Sequence, residues 1–312
     1  MMKVAVCICT YRRPEMLKAC LGSIARQAVP AGWDVVVVVV DNDAHLASPL
    51  DLTPALEGYP FPLEYRQESA RGIPFARNTA CELALASGAD WVIFIDDDEE
   101  AEAGWLVAYA EALAKYDAKV FSGPVRYILP EGPRDLGAGG KRFLVDGCSL
   151  DKVATNNVMF STSLLNPPLS MRFDIGMALT GGSDGEFFGR YRRTGQKMLA
   201  VAGAVVSEVV LENRRTLLWK LRRDYRLSAN DSYVWIKHLG KRTAFLKVLL
   251  SVLVGLPRGG LRLLSAPLLL FVGREQVVRA MYRGIRYWVK CAGAIAGFFG
   301  IRPQPYRHTD GY

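Results

Sequence analysis

The sequence predicts an α/β protein: a mainly parallel sheet with helices on both faces, followed by a helical, basic and apolar C-terminal region. Three observations carry this. Apolar runs of strand length alternate with helical periodicities over the first two thirds of the chain. One of them, Asp34–Val40, holds six consecutive valines, the pattern of a strand buried on both faces. The charge is also split: residues 1–213 hold 20 Lys and Arg against 27 Asp and Glu, whereas residues 214–312 hold 19 against 4.

The elements follow in order. Lys3–Cys9 is a short apolar strand, with Cys7 and Cys9 on one face. Pro14 suits a first helical turn, and Leu17, Leu21 and Ile24 recur at helical spacing. Asp34–Val40 is the next strand. Pro74 opens a helix that runs to about Ser87, and strand Asp90–Ile95 delivers Asp96 at its end. Ala101–Lys115 reads as helix, Ala118–Ser122 as strand, Pro130–Gly140 as a mobile Gly- and Pro-rich loop, and Asp184–Thr194 as a short helix. Ligands of open parallel sheets sit at the carboxyl ends of the strands. Thr10–Arg13, Asp41–Asp43 and Asp96–Glu99 therefore share one rim.

With 312 residues, 50% hydrophobic and 22% charged, the chain holds a large core and is not a disordered polymer. The 29 Gly and 16 Pro fall far short of a collagen triplet repeat. None of the six cysteines has zinc or redox spacing, so buried reduced thiols are expected. The N-terminus enters a strand without a charged-then-apolar leader, which leads to an expectation of the cytosol or the cytosolic face of a membrane. The expected domains are 1–213, catalytic, and 214–312, helical and membrane-associating.

Five acids follow the strand in Phe94-Ile-Asp-Asp-Asp-Glu-Glu100. They suit an acidic helix start or a solvated loop. Three adjacent aspartates on a parallel-sheet rim also repel one another, and a hard divalent cation relieves that. Mg²⁺ or Mn²⁺ held by few carboxylates shares its shell with a substrate phosphate. With three His in the chain, a histidine-rich metal centre is not expected.

Cys9-Thr-Tyr-Arg-Arg-Pro14, Val40-Asp-Asn-Asp43, Arg71-Gly-Ile-Pro-Phe-Ala-Arg-Asn78 and Phe94-Ile-Asp-Asp-Asp-Glu99, in this order and spacing, resemble the family-2 glycosyltransferases of GT-A fold, a Rossmann-like architecture. Thr180-Gly-Gly-Ser-Asp-Gly-Glu-Phe-Phe-Gly-Arg190 adds a fifth segment. The resemblance covers about residues 1–215 and is strongest to bacterial transferases that build exopolysaccharide repeat units on a polyprenyl-diphosphate carrier.

The resemblance implies a nucleotide-sugar donor site at Thr10, Tyr11, Arg12, Asp41, Arg71, Asp96 and Asp97. Asp41 would accept the base's ring N–H, which suits uracil but also guanine or thymine, and Arg71 would approach the base or diphosphate. Asp98 is the expected main metal ligand, with Asp96 a ribose or metal contact and Asp97 ambiguous. The metal would neutralise the leaving nucleoside diphosphate. Asp184 is the expected general base for inversion. Ser183 stands where the family commonly has Glu, so Glu186 stays open as the base, and both acids also suit helix capping. Gly181 and Gly182 would admit an acceptor, with Arg190 orienting carboxylates or diphosphate. Arg77 and Asn78 are expected to tie their helix to the strand ends. No Gln-x-x-Arg-Trp box follows, which favours single addition over polymerisation.

Beyond Arg214, the stretch Arg214–His238 mixes Trp219, Arg222, Arg223 and Tyr225. The apolar runs Val248–Pro257, Leu263–Gly273 and Cys291–Ile301 are each too short to span a bilayer, with Arg258, Gly259, Gly260 and Arg262 separating the first two. Monotopic attachment to an anionic membrane surface is expected, bringing Asp184 to a lipid-linked acceptor. Packing of these runs on the catalytic domain is the alternative. A sugar-nucleotide pyrophosphorylase is the competing enzyme, but Thr10–Pro14 is not the Gly-rich loop it needs. Nucleic-acid binding by the basic segment is the non-enzyme alternative, and is not expected beside such long apolar runs.

Overall fold

The computed structural model describes residues 1–43, 57–129, 132–133 and 145–307. Most of the expected loop at Pro130–Gly140 lies outside them. The chain forms two compact units, Met1–Val210 with Tyr306–Tyr312, and Leu211–Pro305.

The first unit is built on strands β1 (Met2–Thr10), β2 (Trp33–Asp41), β3 (Leu63–Gln67), β4 (Trp91–Asp96), β5 (Glu99–Ala101), β6 (Val120–Ser122), β7 (Val125–Leu129), β8 (Gly132–Pro133), β9 (Asn157–Ser161), β10 (Leu199–Ala200) and β11 (Val206–Val209). Its helices are α1 (Pro14–Ala25), α2 (Ile73–Ala86), α3 (Trp105–Lys115) and α4 (Ser183–Arg193). Seven strands form one sheet in the order β10-β6-β9-β4-β1-β2-β3. Every pairing is parallel except those of β9, which runs antiparallel to β4 and β6. A second sheet has the order β5-β11-β7-β8.

The valine run explains the layering. Val36, Val38 and Val40 point into a core shared with α2 and α4, and Val35, Val37 and Val39 into a core shared with α1 and α3. Alternate side chains of a strand take opposite faces, so one tract of β-branched residues serves both layers. In β1, Cys7 and Cys9 lie on the α2 side, and all six cysteines are free thiols. Register places Thr10 opposite Asp41 and Cys9 opposite Asp96, which brings the three strand ends to one rim.

The helix expected from Ala101 begins later, at Trp105. Glu99–Ala101 instead pairs antiparallel with β11. Gly104, with φ of 80°, cannot continue a right-handed helix backwards, so α3 starts immediately after it.

The second unit opens on one helical turn at Glu212–Arg215 and continues with α5 (Leu217–Leu239), α6 (Lys241–Ser265) and α7 (Arg274–Phe298). A 3₁₀ segment, Ala266–Phe271, extends α6 without interruption. The first two apolar runs are therefore not separate short pieces. Lys241–Phe271 is long and apolar enough, by length and composition, to cross a membrane. Arg258–Arg262 does not break it, and Gly259 there serves helix packing. A Cβ on Gly259 would lie 2.5 Å from the Trp288 ring, and one on Gly255 would lie 2.5 Å from Cys291 Sγ. Cβ atoms on Gly293 and Gly297 would fall on the carbonyls of Tyr225 and Ala229 in α5. Ser232 donates to the Ala294 carbonyl, and Arg286 makes a two-pronged pair with Asp224 at 2.6 and 3.0 Å.

Candidate active site

The rim gathers three strand ends and holds them with ion pairs. Thr10 donates to Asp97 at 2.8 Å, and one Arg13 nitrogen reaches Asp97 at 2.9 Å and Asp98 at 3.1 Å. Arg12, in the left-handed region at φ of 55°, pairs with Asp43 at 2.6 Å. Thr10 and Asp97 are thus engaged with each other, and Asp97 is the most buried of the three aspartates. Desolvation raises the Asp97 carboxyl, and Arg13 and the Thr10 bond oppose the rise.

Asp41 is fully buried. Its oxygens accept from the Asp43 amide at 3.0 Å and the Tyr65 hydroxyl at 3.1 Å. Desolvation outweighs those two bonds and raises its pKa. It braces the turn that carries Asn42 and Asp43. Asn42 in turn clamps the loop before α2: it donates to the Glu68 and Ala70 carbonyls and accepts from the Gly72 amide at 2.7 Å.

Tyr11 lies beside this clamp. The Arg12 and Arg71 guanidinium carbons stand 5.2 and 5.7 Å from its ring centroid. Tyr11, Asn42, Arg71, Gly72, Ile73, Leu179 and Tyr306 line a small cleft. An aromatic face with guanidinium groups suits a base joined to an anionic diphosphate. Tyr306 and Asn42 were not singled out by sequence reasoning. No motif marks Tyr306, which reaches the cleft only because the chain returns to this unit at its end.

Asp96 is the most open of the three aspartates, its side chain 45% exposed against 16% for Asp98 and 6% for Asp97. Desolvation at the foot of the rim, opposed by Arg77 and reinforced by Asp98, Asp97 and Glu208, pushes Asp96 up to about 7. Glu99, buried beside it, accepts from Asn156 at 2.9 Å and from the Asp96 amide at 3.3 Å, and desolvation lifts it well above the usual carboxylate range. No three His, Cys, Asp or Glu converge as a self-sufficient metal centre among the described residues. The donors still fit a hard divalent cation that takes one or two carboxylates and completes its shell with a diphosphate. Asp96 is the more accessible first donor, because Arg13 already sits on Asp98.

Gly181 and Gly182, at φ of 68° and 84°, turn the chain into α4, a conformation favouring glycine. Neither Ser183 nor Asp184 caps that helix, whose N-cap is Gly182. Asp184 is half-buried and makes no ion pair or hydrogen bond among the described residues. Glu186 differs. It is 2% exposed and held by Arg190 through bonds of 2.7 and 3.1 Å. Arg190 also donates to the Arg172 carbonyl and stacks over Phe187, so it locks this helix.

Arg77 joins the two halves. It donates to Ser183 Oγ at 3.1 Å, lies 4.0 Å from Asp96 and covers the Phe173 ring at 5.7 Å. Sequence reasoning assigned it a purely structural tie. Asn78 does tie its helix, but to the Phe173 backbone rather than to a strand end.

The profile of the family described as Glycosyl transferase family 2 matches residues 5–153. The succinoglycan biosynthesis protein ExoM of Rhizobium meliloti (strain 1021) is 30% identical over 223 residues, covering 70% of this chain and 71% of that protein. Mannosyltransferase PcManGT from Pyrobaculum calidifontis, solved with GDP-Man and Mn²⁺, superposes with a TM-score of 0.61 at 19% identity, covering 95% and 87% of the two chains. S. aureus TarS 1–349 with UDP-GlcNAc gives 0.56 at 17% identity, covering 75% and 67%. At these identities the two structures share the fold. A mainly parallel sheet with these strand-end motifs, together with the profile and the relative, makes this chain a family-2 glycosyltransferase of GT-A fold, related to exopolysaccharide biosynthesis proteins.

Proposed function

We propose that the enzyme transfers a sugar, with inversion, from a UDP-sugar to a hydroxyl of a saccharide carried on polyprenyl diphosphate, at the cytosolic face of a bacterial inner membrane. One observation carries the reading. Arg77 holds an open carboxylate, Asp96, and the start of the helix that bears an unpaired carboxylate, Asp184. An inverting transfer needs those two functions side by side.

In this reading Tyr11, Arg12 and Arg71 receive the nucleotide, and Asp41 and Asn42 hold the turn beneath it. Asp96, with Asp98, holds Mg²⁺ or Mn²⁺, which when bound stabilises negative charge on the departing diphosphate. Asp184 takes the proton from the acceptor hydroxyl. Arg77 keeps α4 in register with the rim, and Glu186–Arg190 stiffens that helix. Gly181 and Gly182 leave the backbone open to the acceptor. The helical unit, residues 211–305, attaches the enzyme to the lipid surface where the acceptor resides.

Calorimetric titration of UDP, GDP, dTDP and CMP, each with and without Mn²⁺, tests the donor half. Tight binding of UDP only with metal, lost in Asp96→Asn, is expected. Equal UDP affinity with and without metal would overturn the metal role, and preference for GDP would change the donor class. Proton NMR of the product's anomeric configuration tests inversion.

A further inference from the structure

The helical unit leaves a large apolar surface uncovered, and its charges are placed in a way that decides how it meets lipid. On α6, Leu246, Leu250, Leu253, Leu261 and Leu264 are 62, 62, 62, 70 and 79% exposed. At helical spacing they fall within an arc of about 80°. The opposite side of α6, with Ala244, Val248, Gly255 and Gly259, is buried. Gly255 and Gly259 lie against α7. Exposed Lys247 and Arg258 lie on the shoulder between the two faces, about 16 Å apart along the helix, and exposed Arg262 follows one turn later.

That distribution does not suit a crossing helix. Arg258 lies near the middle of Lys241–Phe271, so a perpendicular helix would place a guanidinium near the bilayer centre. Pro257 lies beside it within the helix. It has no N–H, so the Leu253 carbonyl loses its helical partner. At headgroup depth, water satisfies both groups.

Helix α7 has an exposed apolar side, Val278, Met281, Ile285 and Trp288, while on its opposite side Arg286 and Lys290 pair with Asp224 of α5 and Arg279 pairs with Glu275. Both helices are amphipathic along their length rather than from end to end, and the glycine contacts hold them together as one sheet of side chains.

We propose that α6 and α7 lie flat in one leaflet of an anionic bilayer, as a glycine-packed pair with the leucine face of α6 turned into the acyl chains, and that neither helix crosses. This rests on the membrane attachment proposed above and adds its geometry. Anionic lipid is the occupant because exposed Lys247 and Arg258 flank the leucine face of α6.

The test uses the full chain with Cys148→Ser, and Leu246→Cys, Leu253→Cys or Leu264→Cys, each carrying a nitroxide. The three sites span about 27 Å along α6. The leucines are exposed, so the fold tolerates the labels, and circular dichroism checks it. Flotation with phosphatidylcholine–phosphatidylglycerol (3:1) vesicles establishes binding, and power-saturation EPR with oxygen and a nickel chelate reads depth. The expected result is one shallow depth for all three labels, within about 5 Å. Binding with depths that run from one headgroup region to the other would overturn the flat geometry alone. No flotation would overturn the attachment itself.

Discussion

Asn157 is the hub of the catalytic unit's core, and removing its amide gives a sharp test of the described packing. It is 1% exposed. Its Oδ1 accepts from Trp105 Nε1 at 3.0 Å and from the Tyr109 hydroxyl at 2.7 Å, and its Nδ2 donates to the carbonyls of Pro124 at 3.0 Å and Ala204 at 2.7 Å. The Pro124 carbonyl keeps a second donor, the Val206 amide, and the Tyr109 oxygen still accepts from the Gly123 amide. Asn157→Ala therefore strands three groups: the Trp105 N–H, the Tyr109 O–H and the Ala204 carbonyl. At about 1–2 kcal/mol for each buried unsatisfied group, the cost is about 3–6 kcal/mol, a large share of a domain's stability. Tyr109→Phe removes one of the same bonds and should cost about 1 kcal/mol. Hydrogen–deuterium exchange of the β4 and β9 amides in the full chain reads this unit separately from the helices. Protection should fall by about 10²–10⁴ in Asn157→Ala and by about fivefold in Tyr109→Phe. Equal losses in the two variants would refute the hub.

Three further outcomes follow from the same geometry. Asp184→Asn should lower kcat by about 10²–10⁴ with an unchanged melting temperature, whereas Glu186→Gln should stay within about tenfold in kcat and lose about 2–3 kcal/mol of stability with its Arg190 pair, as read by paired kinetics and thermal melts. Because Asp96 is pushed up to about 7, protons compete with the cation below that pH: Mn²⁺-dependent UDP affinity should fall about tenfold per pH unit from 7 to 5 and level off above 7. Calorimetry in buffers of different ionisation enthalpy should then show nearly one proton released at pH 6 and almost none at pH 8, and Asp96→Asn should abolish the release. Gly297→Val, which drives a side chain onto the Ala229 carbonyl, should cost the helical unit about 3 kcal/mol, whereas Gly260→Ala, with nothing within 4 Å of its Cβ, should be neutral or stabilising, as read by exchange in α5 and α7.

The strand ends were legible because each motif follows an apolar run whose period and composition name it as a strand, and parallel connections leave one rim for all of them. Glu99–Ala101 was not legible as a strand, since its partner β11 lies a hundred residues away and the local acids read as a helix start. The roles within the acidic cluster were hidden for a related reason. Asp96, Asp97 and Asp98 are chemically alike, and only the reach of Arg13 and Thr10 separates the internal carboxylate from the open one. Asp184 is the expected base from sequence with Glu186 left open, and Arg190, one helical turn on, sets the two apart by holding Glu186. The continuity of α6 was masked by Arg258–Gly259–Gly260, which punctuates a sequence, although in three dimensions the helix runs through and Gly259 permits close packing on α7.

Gly72 has a mechanical meaning beyond its torsion angle. At φ of 136°, it would place any Cβ 2.6–2.9 Å from the side chain and backbone of Ala178. Its amide is anchored to Asn42, and Ala178 leads within a few residues to Gly181 and Gly182. The loop beside Tyr11 and the loop before Asp184 therefore touch with no spare room at this point, and even a methyl group at position 72 would force them apart.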